Sequence, residues 1–217
     1  PGKGDITNMI RSYIHRCQKD GVKIVMNCEV TPELIKEEKP DSVIIATGSK
    51  TLILPIEGID NPAIIHGSDL LDGKRAAGKK VLVVGGGMVG CETAAFLGEQ
   101  EHDVTVIEFR DTVGADVIHE HRVYLMKDFE DYGIKEITGA KVCKFYEDGV
   151  EYETADGVRH ESRGYDSVIL SMGFRNYNPL EEKIKDLVPE THVIGDAIRA
   201  RRALDATKEA YEVASRI

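Results

Sequence analysis

The strongest constraint on this chain is the stretch KKVLVVGGGMVGCE over residues 79–92, an apolar run that turns through glycines and leaves as a helix. Val81, Leu82, Val83 and Val84 show no alternation, which predicts a strand of a parallel sheet covered on both faces. In the G-x-G-x-x-G register Gly85 permits the tight turn, Gly87 lets the backbone approach a diphosphate, and Gly90 lets the helix pack on its strand. A helix is predicted over residues 88–100, with Val89, Thr93, Phe96 and Leu97 at helical spacing. The first amides of that helix, Met88 and Val89 among them, favour an anion.

A second apolar run, Val104 to Ile107, ends at Glu108, which lies 108 − 85 = 23 residues from the first glycine. That is about the separation at which a carboxylate holds the adenosine ribose of a dinucleotide. The acid would repel a 2′-phosphate, so NAD(H) is expected over NADP(H), although Arg110 could turn toward such a phosphate. A glycine hexapeptide alone is weak; here the strand, helix and terminal acid agree. For Glu108 the plainer reading is an exposed acid at a strand end. Glu92, in the first turn after the glycines, reads as structural.

Charge excludes one class of partner. With 28 Lys and Arg against 38 Asp and Glu, the net charge is −10, which argues against a nucleic-acid surface but not against a pocket of backbone amides. No stretch approaches the roughly 20 apolar residues of a membrane span, and Pro1, Gly2, Lys3, Gly4 and Asp5 do not read as a signal peptide. A cytoplasmic protein is expected. Cys17, Cys28, Cys91 and Cys143 form no C-x-x-C pair, so neither a zinc ribbon nor a redox disulfide is indicated. His119 and His121 fall on different helix faces, and no metal site is expected.

Along the chain, Ile6, Met9, Ile10, Tyr13, Ile14 and Cys17 predict an amphipathic helix over 7–19, followed by a short strand over 22–26. Thr31 and Pro32 mark a helix start. A buried strand over 42–46 runs into Thr47 and Gly48, residues 49–61 carry no helical period, and a short helix is expected at 68–71. Residues 73–78 look like a crossing into a second domain. Ile118, Arg122, Leu125, Phe129 and Tyr132 mark a helix stripe closed by Gly133, with a strand over 134–138 after it. Runs at 142–146, 150–154 and 159–161, separated by Asp-Gly turns, predict an antiparallel meander. A buried strand over 165–170, a loop over 174–189, a strand over 192–194 and a helix over 204–217 complete the chain. That last helix should turn Ala206, Ala210, Val213 and Ile217 inward. The segments 41–48 and 166–173 share Asp-Ser-Val-Ile and a glycine at the eighth position, which suggests two related nucleotide-binding units.

Taken in order, Ala46-Thr47-Gly48, the glycine turn with Glu92 and Glu108, Ser171-Met172-Gly173, and Gly195-Asp196 resemble the flavoproteins with two dinucleotide-binding domains. Within them, the absence of a cysteine pair and the single helix after Asp196 resemble the C-terminal nucleotide-binding portion of the 2,4-dienoyl-CoA reductase, enoate reductase and trimethylamine dehydrogenase group. Those proteins carry an FMN-binding barrel ahead of the nucleotide domains. The resemblance implies an α/β, Rossmann-like FAD/NAD(P)-binding fold in which a nicotinamide domain is inserted into an incomplete flavin domain. It assigns residues 1–74 and 177–217 to the flavin part and residues 75–176 to the NAD(H) part.

It further implies that Ala46, Thr47, Gly48, Gly195 and Asp196 contact FAD, Asp196 through the ribityl chain, and that Gly173 borders the nicotinamide. From the residues alone, Asp196 reads as a helix cap after Gly195. No glycine turn precedes Gly85, so FAD binding by this chain alone should be weak or absent. The FMN barrel and the first flavin-domain unit of a longer parent protein would be its partners. No residue stands out as an acid, base or nucleophile, and none is assigned as catalytic.

Three functions fit these expectations differently. The first is the pyridine-nucleotide-binding portion of a flavin-dependent oxidoreductase, itself inactive on the organic substrate, passing hydride between NAD(H) and FAD. The second is a non-catalytic NAD(H)-binding module for redox sensing or interaction. The third, an S-adenosylmethionine methyltransferase, explains the glycine turn and acid but not Thr47-Gly48 or Gly195-Asp196.

Overall fold

The computed structural model describes residues 3–217, so the reading of Pro1 and Gly2 concerns residues outside it. In chain order the first elements are α1 (Gly4–Lys19), α2 (Pro32–Glu38), β1 (Ser42–Ile45), β2 (Ser49–Thr51), β3 (Ile65–His66) and α3 (Gly67–Leu71). Next come β4 (Lys80–Val84), α4 (Met88–Glu99), β5 (Asp103–Ile107), α5 (His119–Asp131), β6 (Lys135–Ile137), β7 (Lys141–Tyr146), β8 (Gly149–Glu153) and β9 (Arg159–Ser162). The last are β10 (Ser167–Leu170), β11 (Phe174–Asn176), α6 (Glu181–Ile184), β12 (Glu190–Val193), a 3-10 turn at Gly195–Ala197 and α7 (Ala203–Ala214).

The chain divides into two compact units, one of Thr51–Gly173 and one built from the residues on either side of it. The inserted unit is a five-stranded parallel sheet in the order β3-β10-β4-β5-β6, beside a three-stranded antiparallel sheet β7-β8-β9. Both faces of the parallel sheet are covered, and successive residues of β4 serve different cores. Val81 and Val83 join Cys91, Ala94 and Leu97 of α4 and Leu125 and Phe129 of α5. Leu82 and Val84 join Phe145, Val150 and Tyr165 on the meander side. That is why the run lacks alternation, and each such side chain contributes roughly 1.5–3 kcal/mol on burial. Strand β3 pairs with β10, so residues 51–74, grouped by sequence with the first segment, lie in this unit.

The flanking unit is smaller in its regular structure. Strands β1 and β12 pair in parallel with Ser42 opposite Glu190 and Ile45 opposite Val193. Around them Ile35, Ile45, Leu180, Ile184, Val188 and Ala197 form a core. Thr31 caps α2 as expected, its Oγ1 accepting from the Leu34 amide at 3.3 Å. Lys39 ends the helix in the left-handed conformation with φ 46°.

Several expectations change. Residues 22–26 form no strand, and Val22, Ile24, Val25 and Met26 are exposed. β-branched residues specify a strand only where a neighbour completes the ladder. Helix α1 forms and extends to Gly4, yet none of its apolar stripe is buried. Strand β1 is less enclosed than its continuous run predicts, with Ile44 on the surface. Residues 174–176, read as loop, form β11 and pair with β2. Helix α7 stops at Ala214, leaving Ile217 exposed while Ala206, Ala210 and Val213 are half-buried.

Candidate functional site

The glycine turn joins β4 to α4. Gly85 sits at φ 104°, a conformation L side chains rarely adopt, and a Cβ there would run into the backbone carbonyl of Ser171. Its amide donates to Ile107 O at 2.9 Å, tying the turn to the end of β5. At Gly90 a Cβ would strike the carbonyl oxygen of Gly85, so only glycine lets α4 start this close to its strand. Cys91, one residue on, donates its Sγ–H to Gly86 O at 3.2 Å. Burial pushes the Cys91 thiol up to about 12, which leaves it protonated and inert at neutral pH.

Glu108 follows the last residue of β5. Its Oε2 accepts from the Gly86 amide at 2.6 Å and its Oε1 from the Arg110 amide at 2.9 Å. The backbone carbonyl of Glu108 accepts from Ala140 at 2.9 Å, so strand end and carboxylate are both fixed. The Arg110 side chain is exposed. Glu92 pairs with His121 of α5 at 3.4 Å, in line with a structural role.

One residue at this turn escaped the sequence reading. Asp116 accepts from the Met88 amide through Oδ1 at 2.9 Å, and its Oδ2 would lie 3.2 Å from a Cβ at Gly87. It comes from the loop after β5, held against the turn by Gly114 N donating to Gly86 O at 2.7 Å. The pair is 28 residues apart. Only the turn glycine Gly114 hinted at the loop's path.

In the flanking unit the positions expected to meet a flavin converge. Ala46 lies exposed just beyond β1, Thr47 Oγ1 donates to Tyr177 O at 2.6 Å, and the Tyr177 amide donates to Gly48 O at 3.2 Å. Gly48 and Gly195 have φ of 71° and 62°. Asp196 accepts from Ser49 Oγ at 3.1 Å and from the Arg201 amide at 3.0 Å. The Gly195 amide donates to Glu209 Oε2 at 2.7 Å, and Arg201 pairs with the same carboxylate. The Arg201 guanidinium, and then the Gly195 amide, hold the Glu209 carboxyl below its usual range. Gly173, at φ 93°, belongs to the inserted unit, where its carbonyl accepts from Leu52 at 2.9 Å.

Chemically, the glycine turn offers a helix start for an anion and an oriented carboxylate for hydroxyl groups. Among the described residues there is no cluster of His, Cys, Asp or Glu able to hold a metal ion. The four cysteines are free. No helix among the described residues is long and apolar enough to cross a membrane.

Known proteins share this architecture. Residues 4–195 match the family model of the pyridine nucleotide-disulphide oxidoreductases. The chain is 30% identical to the cinnamate reductase of Clostridium sporogenes over 99% of its length and 32% of the relative's. It is 31% identical to the NADH oxidase of Thermoanaerobacter brockii over 100% of its length and 34% of the relative's. The structure of a 2-naphthoyl-CoA reductase superposes on 98% of the chain and 32% of its own with a TM-score of 0.88 at 31% identity. The chain thus spans about a third of the length of the curated relatives it matches. With the Rossmann-like sheet, the glycine turn and a match covering most of its residues, the chain belongs to the pyridine nucleotide-disulphide oxidoreductase family, on the side of the enoate-reductase-like flavoproteins.

Proposed function

We propose that this chain is the pyridine-nucleotide-binding portion of a flavin-dependent oxidoreductase, passing hydride between NAD(H) and FAD. The observation that carries this is the hydrogen bond from the Gly86 amide to Glu108 Oε2, which brings the expected phosphate turn and the expected ribose acid together at 2.6 Å. Gly85, Gly87, Met88, Val89 and Gly90 would cradle the diphosphate through backbone, and Glu108 would accept from the ribose hydroxyls. A carboxylate at that position favours NADH over NADPH, with Arg110 a cation two residues away that could soften the preference. Gly173 would border the nicotinamide. When bound, the nicotinamide supplies the hydride; the chain's residues supply binding and orientation.

Ala46, Thr47, Gly48, Gly195 and Asp196 would hold part of a flavin, a reading supported by their convergence through the Ser49–Asp196 hydrogen bond. Among the described residues the flanking unit contains no second glycine turn of this kind, so FAD binding by the chain alone should be weak or absent. The FMN barrel and first flavin-domain unit of a longer parent would complete that site, and reduction of an organic substrate would take place there. Four unpaired cysteines fit a reducing, cytoplasmic setting.

Calorimetric titration of the purified chain with NADH, NADPH and FAD tests the proposal. NADH should bind with clear preference over NADPH, and FAD weakly or not at all. If neither pyridine nucleotide binds the folded chain, the reading fails. If NADH binds but the full-length parent shows neither a flavin spectrum nor NADH-dependent dye reduction, a non-catalytic module replaces the oxidoreductase.

A further inference from the structure

Helix α4 begins with an amide that is already occupied. Met88 N–H, at the first helical position, donates to the Asp116 carboxylate at 2.9 Å, where an incoming phosphate oxygen would seek a donor. Asp116 is not a stray side chain that happens to lie nearby. Val113 and Val117 on either side of it are buried in the core under α4 and α5. Gly114 N donates to Gly86 O at 2.7 Å. From α5, Arg122 donates through Nε and Nη2 to Val113 O at 3.3 and 3.1 Å, and through Nη2 to Thr112 Oγ1 at 2.9 Å. The strap over residues 111–118 is therefore fastened at several points, while Asp116 itself is exposed and has solvent to rotate into.

We propose that Asp116 sets dinucleotide affinity by holding the Met88 amide until a diphosphate replaces it. This rests on the dinucleotide reading of the glycine turn given above. A carboxylate and a phosphate have the same charge and the same demand for this donor, so they exclude one another at it. In the nucleotide-free protein Asp116 satisfies the helix start; on binding, its side chain swings outward while the strap stays anchored by Val113 and Val117. The residue stabilises the empty form and weakens the occupied one.

Those opposite effects are the test. Asp116→Ala and Asp116→Asn are compared with wild type in the full chain by thermal melting without nucleotide and by titration with NADH. The net worth of one solvent-exposed hydrogen bond corresponds to about three- to tenfold in affinity. Asp116→Ala should melt a few degrees lower, about 2–4 °C for a chain of this size, yet bind NADH about three- to tenfold more tightly, with Asp116→Asn between. A merely structural role would lower stability and affinity together. If the wild type binds NADH and Asp116→Ala binds it equally or less well, the inference is overturned while the dinucleotide reading stands. If no form binds NADH, the dinucleotide reading fails and takes the inference with it.

Discussion

The Glu108 carboxylate receives the Gly86 amide at 2.6 Å, so the acid at the end of β5 is clamped to the turn at the end of β4. A side chain held this way presents its remaining lone pairs in a fixed direction, which is what recognition of a pair of ribose hydroxyls needs. Replacing it by Gln keeps the shape but removes the charge that repels a 2′-phosphate. Glu108→Gln should lose about tenfold in NADH affinity, the scale of one hydrogen bond to a charged group. NADPH should lose less, so the ratio of the two dissociation constants narrows. An unchanged ratio in side-by-side titrations would rule out the ribose role.

Gly90 is set against the carbonyl of Gly85 with no room for a methyl group. Gly90→Ala must push α4 off its strand, and overpacking of this kind costs about 1–3 kcal/mol or more. The denaturation midpoint of the variant should fall accordingly, and NADH binding should weaken with it because the turn is displaced.

Cys91 is fully buried, its thiol raised to about 12 by desolvation, while Cys28 is exposed. In native conditions Ellman's reagent should modify Cys28 fast and leave Cys91 untouched until denaturant is added. Rapid labelling of Cys91 in the folded chain would contradict the packing of α4 described above.

Glu209 has its carboxyl held below the ordinary value of 4.5 by Arg201 and the Gly195 amide. A depressed folded value means the contribution to stability is present above the unfolded pKa and lost as pH falls through the folded one. Glu209→Gln should therefore melt below wild type near neutral pH, and the gap should close progressively as both are acidified below the ordinary value of 4.5. Melting curves across that range decide it; a gap that persists in acid would assign the effect to packing instead.

What could be read in advance was local. The glycine turn, the Thr31 cap and the two hairpins each depend on residues within one turn of chain, and the structure contains them, although the first hairpin turns at Glu147-Asp148 with Gly149 already paired in β8. The placement of Glu108 at the end of β5, against the glycine turn, was legible because its distance from Gly85 is set by one strand and one helix. Residues 22–26 misled because a strand exists only with a partner, and β-branched composition says nothing of whether one is at hand. Strands β2 and β11 were missed for the converse reason: each is three residues long, and their pairing joins distant parts of the chain. Asp116 was overlooked because its effect is exerted on Met88, through a loop whose path no periodicity reveals.

The interruption of one unit by another has a consequence for how the molecule is made. Residues 51–173 are synthesised as an unbroken block and can complete their sheet among themselves, whereas β1 can pair with β12 only after everything between them has been made. Closing so long a loop is entropically slow unless its interior has already condensed. The middle can thus condense before the flanks meet, and a growing chain from which residues 51–173 have fully emerged can hold a finished parallel sheet while β1 still lacks β12.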